Sequence, residues 1–151
     1  MKRFLPSLFA LLVAATSTAF AAEGLISLKS PLPAKETMNR FEETAKQRGL
    51  TIFARVDHAA GAAKVGKTLR PTEVLVFGNP MGGTPLMECA QSAGIDLPLK
   101  ALVWEDAQGQ VWLGYNDPAY LARRHGVADC PAVAPLTKAL AGLAEATLAA
   151  R

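Results

Sequence analysis

The amino-acid sequence predicts an α+β fold with an antiparallel sheet and helices on one face of it. An apolar run at residues 74–77 ends abruptly in Gly78-Asn79-Pro80, which is typical of a strand buried on both faces. Two further strand-like segments, residues 100–106 and 110–116, flank a short turn whose glycine suits a positive-φ hairpin position. Strands joined by a tight hairpin pair antiparallel, which favours α+β over a doubly wound parallel sheet.

The first half of the chain supplies two more strands and one helix. Residues 25–30 alternate enough to predict a first strand. Residues 34–48 carry apolar side chains at three- and four-residue spacing, and Gly49 stands where a glycine commonly ends a helix. Residues 50–56 predict the second strand.

The second half contains two pairs in which a capping residue precedes proline. Thr84-Pro85 predicts the start of a helix that ends near residue 93, and Asp117-Pro118 predicts a helix over residues 119–125. The tail, residues 131–151, is rich in alanine and carries its larger apolar side chains in one stripe. The tail is therefore predicted to be an amphipathic helix.

The register of the hairpin determines which side chains share a face of the sheet. If Asp106 pairs with Gln110, Trp104 lies directly opposite Trp112. Both tryptophans then lie on one face of the sheet and Val103 lies on the other. Each face therefore carries apolar side chains. A cover is expected over the tryptophan face: the tail helix, a second subunit or a bound ligand.

The first 21 residues have the layout of a secretory signal peptide. Lys2 and Arg3 precede an apolar stretch that is too short to span a membrane comfortably, and Ala19-Phe20-Ala21 matches a cleavage site. We expect cleavage after Ala21 and a secreted protein in the bacterial periplasm, with no membrane attachment afterwards. The predicted division is residues 1–21 as signal peptide, 22–130 as the α+β domain and 131–151 as the C-terminal helix.

The charge balance argues against nucleic acid as a partner. The chain has 16 Lys and Arg residues against 13 Asp and Glu, but Lys2 and Arg3 belong to the leader, which contains no acidic residue. The remaining chain, with 14 basic residues, is close to neutral and has no electrostatic footprint for nucleic acid or anionic membrane.

Export permits a disulfide. Cys89 and Cys130 are the only cysteines, so the one intramolecular bridge available is Cys89–Cys130, and the alternative is two separate buried thiols. Their spacing does not match a redox CxxC motif.

The candidate binding residues lie at strand ends and in loops, which carry function on rigid scaffolds. The segment from Gly82 to Thr84 offers backbone amides to a carboxylate or phosphate, or else is a tight turn that needs glycine. A binding module predicts a pocket where His58 and this segment converge. The predicted ligand-binding residues are Asp57, His58, Asn79, Gly82, Gly83, Thr84, Asn116 and Asp117.

Two alternatives stay open beside ligand binding. His58 and His125, the only histidines, are the candidate ligands for a metal or haem, but no close spacing supplies the three or four ligands of a tight site. The sequence therefore implies no cofactor. A small hydrolase-like enzyme is the second alternative, although the chain contains no GxSxG motif and its carboxylates, Glu73 and Glu105 among them, form no pair that sequence can recognise.

Several segments, taken in order, resemble the domain-of-unknown-function family 302 over about residues 25–127. The resemblance implies a small α+β domain similar in fold to TATA-box-binding-protein-like domains, often dimeric, and it implies no established activity. We therefore predict a module that binds a small ligand or a partner, is homodimeric through its sheet, and is a binding protein in preference to an enzyme. The leader, the cysteine pair and the tail helix are additions to the family pattern. The matching segments are residues 53–58, 69–80, 83–86, 96–100 and 115–120.

Overall fold

A computed structural model describes residues 22–149, and the predicted signal peptide, residues 1–21, lies outside them. Within this range the predicted α+β fold is confirmed, with five strands and five α-helices. The elements in order are β1 (Leu25–Ser30), α1 (Ala34–Gln47), β2 (Thr51–Asp57), α2 (His58–Lys64), β3 (Thr72–Gly78), α3 (Pro80–Cys89), a short 3-10 helix (Gln91–Ile95), β4 (Leu99–Glu105), β5 (Val111–Asn116), α4 (Pro118–Arg124) and α5 (Val133–Leu148).

The five strands form one sheet in the order β1-β5-β4-β3-β2, and every neighbouring pair is antiparallel. The β4–β5 hairpin has the predicted register, because the Asp106 amide donates to the Gln110 carbonyl at 2.9 Å. Trp104 consequently pairs with Trp112. Their rings stack with centroids 6.2 Å apart.

The core lies on the sheet face that carries Val103 and Leu113, and α1 and α5 pack over it. Phe41 of α1 meets Phe77 of β3 edge to face, with ring centroids 5.2 Å apart, and both are fully buried. Burying a side chain of this size is worth about 1.5–3 kcal/mol. The helical periodicity of α1 thus places its apolar stripe on the sheet.

The opposite face of the sheet carries Trp104, Trp112 and Leu102, all partly exposed. The predicted tail helix forms as α5, but its buried leucines join the core on the other face and its neighbours are α1 and α4. The tail helix is therefore not the cover of the tryptophan face, and no other described helix belongs to a buried cluster on that side.

Helix α3 begins five residues earlier than predicted. Asn79, not Thr84, is the N-cap: its side-chain oxygen accepts a hydrogen bond from the Gly82 amide at 2.8 Å, and Pro80 occupies the first turn. Pro85 then lies inside the helix, where it removes one backbone donor. The chain has two successive capping-residue-plus-proline pairs, and the first one starts the helix.

The predicted disulfide is present and joins α3 to the segment before α5. Cys89 is the last residue of α3 and Cys130 precedes α5, with their Cα atoms 6.1 Å apart. Between residues 22 and 149, no helix is long and apolar enough to cross a membrane.

Candidate functional site

A cavity of about 980 Å³ lies between α3, α5 and the loop that leads into β4. Its walls are almost entirely apolar, and Arg48 is the one charged residue among those that line it in the described part of the chain. Helix α5 contributes a single stripe of side chains, spaced by three or four residues along one side of the helix. The stripe consists of Pro135, Leu136, Ala139, Leu140 and Leu143 of α5, and Pro131 and Ala132 continue it just before the helix begins.

Two glycines of α3 allow the opposite wall to approach this stripe and the loop before β4 closely. A β-carbon at Gly82 would lie 3.7 Å from Cδ2 of Leu136, and one at Gly83 would lie 3.5 Å from Cδ1 of Leu97. A methyl group at either position would therefore make ordinary van der Waals contact with a leucine of the cavity lining. Met81, 88% exposed, lies at its border.

Four of the eight predicted ligand-binding residues line this cavity: Asn79, Gly82, Gly83 and Thr84. They do so as the first turns of α3 and not as a loop before it. The amides of Gly82 and Gly83 are already bonded to Asn79, so they are not the open anion site that the glycine pair suggested.

The other four predicted residues lie elsewhere. Asp57 caps α2, accepting from the Ala60 amide at 2.8 Å, and His58 next to it is exposed. The cavity lies near the start of β2, where Thr51 pairs with Gly78. Asp57 and His58 are at the other end of this strand. The predicted convergence of His58 with the glycine segment is therefore wrong.

Asn116 and Asp117 are also outside the cavity lining. Asn116 is exposed at the end of β5 and pairs with Leu25 of the edge strand β1. The Asp117 carboxylate accepts from the Ala119 amide at 2.9 Å, which caps α4. Asp117 is thus accounted for by the start of a helix, and Asn116 by the end of a strand.

Neither histidine stands in a cluster of metal-ligating groups. In residues 22–149, no three His, Cys, Asp or Glu side chains are placed to hold a metal ion. Both ring nitrogens of His125 have hydrogen-bond partners, at 2.7 Å to Asp96 and 2.9 Å to Ser92. His58 and His125 are thus not a shared site in this fold.

The Ser92–His125–Asp96 chain of hydrogen bonds was not foreseen from the sequence, since the three residues belong to the 3-10 helix, the end of α4 and the loop before β4. In a hydrolase triad the serine faces Nε2 and the carboxylate faces Nδ1. Here the order is reversed, with Ser92 on Nδ1 and Asp96 on Nε2. Asp96 also binds Arg124 at 2.8 Å, and none of the four lines the cavity. These hydrogen bonds and the ion pair hold the loop before β4 against the end of α4.

The groups with clearly shifted pKa values also lie away from the cavity. The indole of Trp112 donates to Asp106 at 2.8 Å and holds the pKa of that carboxyl below its usual value. Burial raises the pKa of Tyr115. The hydrogen bond that Lys46 donates lowers the pKa of Glu42, and the hydrogen bond that Arg55 donates to Glu73 raises the pKa of Arg55. None of these shifts marks an acid or base inside the apolar space.

Arg48, the one charged lining residue among residues 22–149, is not among the residues predicted from the sequence. It caps the end of α1, and its Nη2 donates to the Gly142 carbonyl of α5 at 2.9 Å. The two residues are 94 positions apart, so their meeting depends on how the helices pack, and no local pattern predicts it.

Three curated relatives match part of the chain. Proteins named fluoride-specific ion channel FluC 1 from Brucella suis biovar 1 (strain 1330) and from Brucella abortus biovar 1 (strain 9-941), and FluC 2 from Brucella melitensis biotype 1, are each 49% identical over 104 residues. The match covers 69% of this chain, which spans about two-fifths of the length of those relatives (41% and 38%).

A solved structure has the same fold. The crystal structure of an uncharacterised conserved DUF302 protein from Bacillus stearothermophilus superposes with a TM-score of 0.66 at 22% identity, covering 84% of this chain and 97% of that one. The family model described as domain of unknown function DUF302 matches residues 26–146, from β1 through most of α5. The chain therefore belongs to the DUF302 family.

Proposed function

We propose that this chain is an exported binding module that takes a small apolar ligand into the cavity between α3 and α5. The cavity is the observation that carries the proposal. Its volume, about 980 Å³, is at the upper end of the roughly 300–1,000 Å³ of small-molecule sites. The layout of residues 1–21 supports export.

The composition of the walls supports an apolar ligand. Leucine, proline, methionine and phenylalanine side chains dominate the lining, and Asn79 and Thr84 supply the few polar atoms beside Arg48. Each Å² of apolar surface removed from water contributes about 25 cal/mol to binding before the entropic costs of association. A polar or multiply charged ligand would lose its hydration here without enough partners in return.

The experiment is a titration of the full purified chain with Nile red, an uncharged apolar dye. Ala139→Trp places a large side chain in the cavity from an exposed, lining position of α5, and Ala134→Trp adds the same side chain to an exposed position of α5 that does not line it. We expect saturable fluorescence enhancement, weakened at least tenfold by Ala139→Trp and unchanged by Ala134→Trp. Absence of saturable binding, or equal affinity in the two variants, would overturn the proposal.

We also propose that a second copy of the chain covers the open sheet face. The centre of this face, Leu102 between Val74 and Gly114, is uncharged, and Lys29 and Lys100 lie nearer its margins. A two-fold axis near Leu102 would bring uncharged surfaces together and leave the lysines at a polar rim.

Light scattering of the purified chain tests the dimer. We expect twice the mass of one chain, and the mass of one chain for Leu102→Lys, which introduces a charge at the centre of the interface. The control, Lys138→Glu, changes an exposed residue of α5 on the other side of the molecule and leaves the dimer intact. A monomeric wild-type protein contradicts the proposal.

A second candidate function rests on the likeness to segments of proteins named as fluoride channels. On this proposal the chain acts together with a fluoride channel in its own host. Deletion of the gene would then lower fluoride tolerance, and expression of the wild-type chain would restore it. Unchanged growth across a fluoride series would remove this candidate and leave the apolar-ligand proposal standing.

A further inference from the structure

We propose that the apolar ligand is a long-chain fatty acid whose carboxylate binds Arg48 and whose chain lies along α5. This inference rests on the proposed function, because it names the ligand of the same cavity. The observations that carry it are the length of the apolar stripe and the position of the single charge.

The apolar stripe on α5 is long and follows one side of the helix. Its lining residues within the helix run from Pro135 to Leu143, about 12 Å at a rise of about 1.5 Å per residue, and Pro131 and Ala132 extend the wall before the helix begins. On the α3 side, Gly82 and Gly83 add no side chain between the helix and the leucines that face them. An extended acyl chain fits a groove of this shape better than a compact ring system.

The charge lies at one end of the stripe. Arg48 donates to the carbonyl of Gly142, the residue before Leu143, and so marks the carboxyl-terminal end of the wall. The opposite end, around Pro131, has no charged lining residue. The site therefore has a direction, with a cationic end and an apolar end, and an amphiphile with one anionic terminus has the same asymmetry.

The guanidinium has donors left for such a terminus. It carries five N–H groups, and hydrogen bonds with residues 22–149 use the one that reaches Gly142. Arg48 forms no ion pair with an acidic residue of that range, and its side chain is exposed. A carboxylate accepts two parallel N–H bonds from a guanidinium, and the apolar walls nearby reduce the screening of that contact.

The test compares ligands that differ only in the terminal group, each displacing Nile red from the full chain. The probes are palmitate, 1-hexadecanol and hexadecyltrimethylammonium, with a palmitoyl lysophosphatidate as a phosphate-bearing anion. We expect palmitate to bind at least tenfold more tightly than the alcohol and the ammonium compound to bind more weakly than either. Tighter binding of the lysophosphatidate than of palmitate would overturn the assignment to a free fatty acid.

Variants of Arg48 distinguish two roles of this side chain: binding the ligand, and linking α1 to α5 through the hydrogen bond to Gly142. Arg48→Met should bring the ratio between palmitate and hexadecanol close to one while Nile red still binds, and Arg48→Lys should keep the ratio above one. Arg123→Met, at an exposed position of α4, should leave it unchanged. A wild-type ratio near one overturns the inference even if Arg48→Met does not fold. Failure of Nile red and every amphiphile to bind would instead overturn the proposed function.

Discussion

The ring of Trp104 lies directly over Gly114, and a β-carbon on Gly114 would be 2.9 Å from Cζ3 of the indole and 3.2 Å from the carbonyl oxygen of Ile26. We predict that Gly114→Ala destabilises the protein by about 1–3 kcal/mol, because the indole must move away from the sheet and from Trp112. Chemical denaturation measures the loss.

A double-mutant cycle shows whether the indole is the cause. In a Trp104→Leu background the obstructing ring is gone, and the cost of Gly114→Ala should fall by at least half. An undiminished cost would mean that the backbone contact with Ile26, and not Trp104, excludes a side chain at this position.

The second prediction concerns the pH dependence of Trp112. The pKa of Asp106 is held below its ordinary value of 3.8, chiefly by the hydrogen bond from the Trp112 indole. A carboxyl whose pKa is lower in the folded than in the unfolded chain stabilises the fold above the unfolded pKa, and that contribution is lost as the pH falls through the folded pKa. Stability and Trp112 emission should therefore change together below about pH 4.

Asp106→Asn provides the control for this titration. The amide cannot ionise in this range, so the shared transition in emission and stability should disappear while the hairpin remains folded. A transition that persists in Asp106→Asn would assign it to another carboxyl, of which Glu42 is the first to test because Lys46 lowers its pKa as well.

The sequence predicts those parts of the fold that depend on interactions between residues close together in the chain. The hairpin register followed from one turn, because Asp106 and Gln110 are four positions apart and fix Trp104 opposite Trp112. The start of α3 was misplaced because two adjacent cap-plus-proline pairs competed, and local sequence does not rank them.

The candidate site is predictable only in part, because some of its residues are close together in the chain and others meet only through packing. Asn79 to Thr84 are contiguous, so the sequence could identify them as one segment. Their separation from His58 follows from the antiparallel pairing of β2 with β3, which puts His58 at the other end of the sheet. Arg48 reaches the cavity through the packing of α1 on α5, and nothing within a few residues of Arg48 encodes that contact.

The third prediction concerns the Cys89–Cys130 disulfide, which closes a loop with a sequence separation of 41. In the chain-entropy account a loop of this length is worth about 4 kcal/mol, because the bridge restricts the unfolded chain. The Cys89→Ser, Cys130→Ser double variant should lose that amount in denaturant titrations. The wild-type protein in a reducing agent should lose the same amount, and a smaller loss in both would indicate residual structure in the unfolded chain.

The fourth prediction uses two glycines with nearly the same backbone conformation. Gly24 has a φ of +76° and Gly109 a φ of +77°, both in the left-handed region that disfavours a side chain. Nothing lies within 4 Å of a β-carbon at Gly109, whereas a β-carbon at Gly24 would overlap the ring of Tyr120. Gly109→Ala should therefore cost about 1–2 kcal/mol, the conformational term alone.

Gly24→Ala should cost more, about 2–5 kcal/mol, because the same conformational term is joined by displacement of Tyr120 from its place on α4. The Gly24 carbonyl also accepts from the Asp117 amide at 2.8 Å, so the chain cannot move away from α4 without losing that bond. Urea titration of the two variants measures the difference directly.

Adding Tyr120→Ala to Gly24→Ala removes the obstructing ring, so the cost of the glycine substitution in that background should fall to the level seen at Gly109. Equal losses in the two single variants would show that the Tyr120 ring moves aside freely and that φ alone governs both positions.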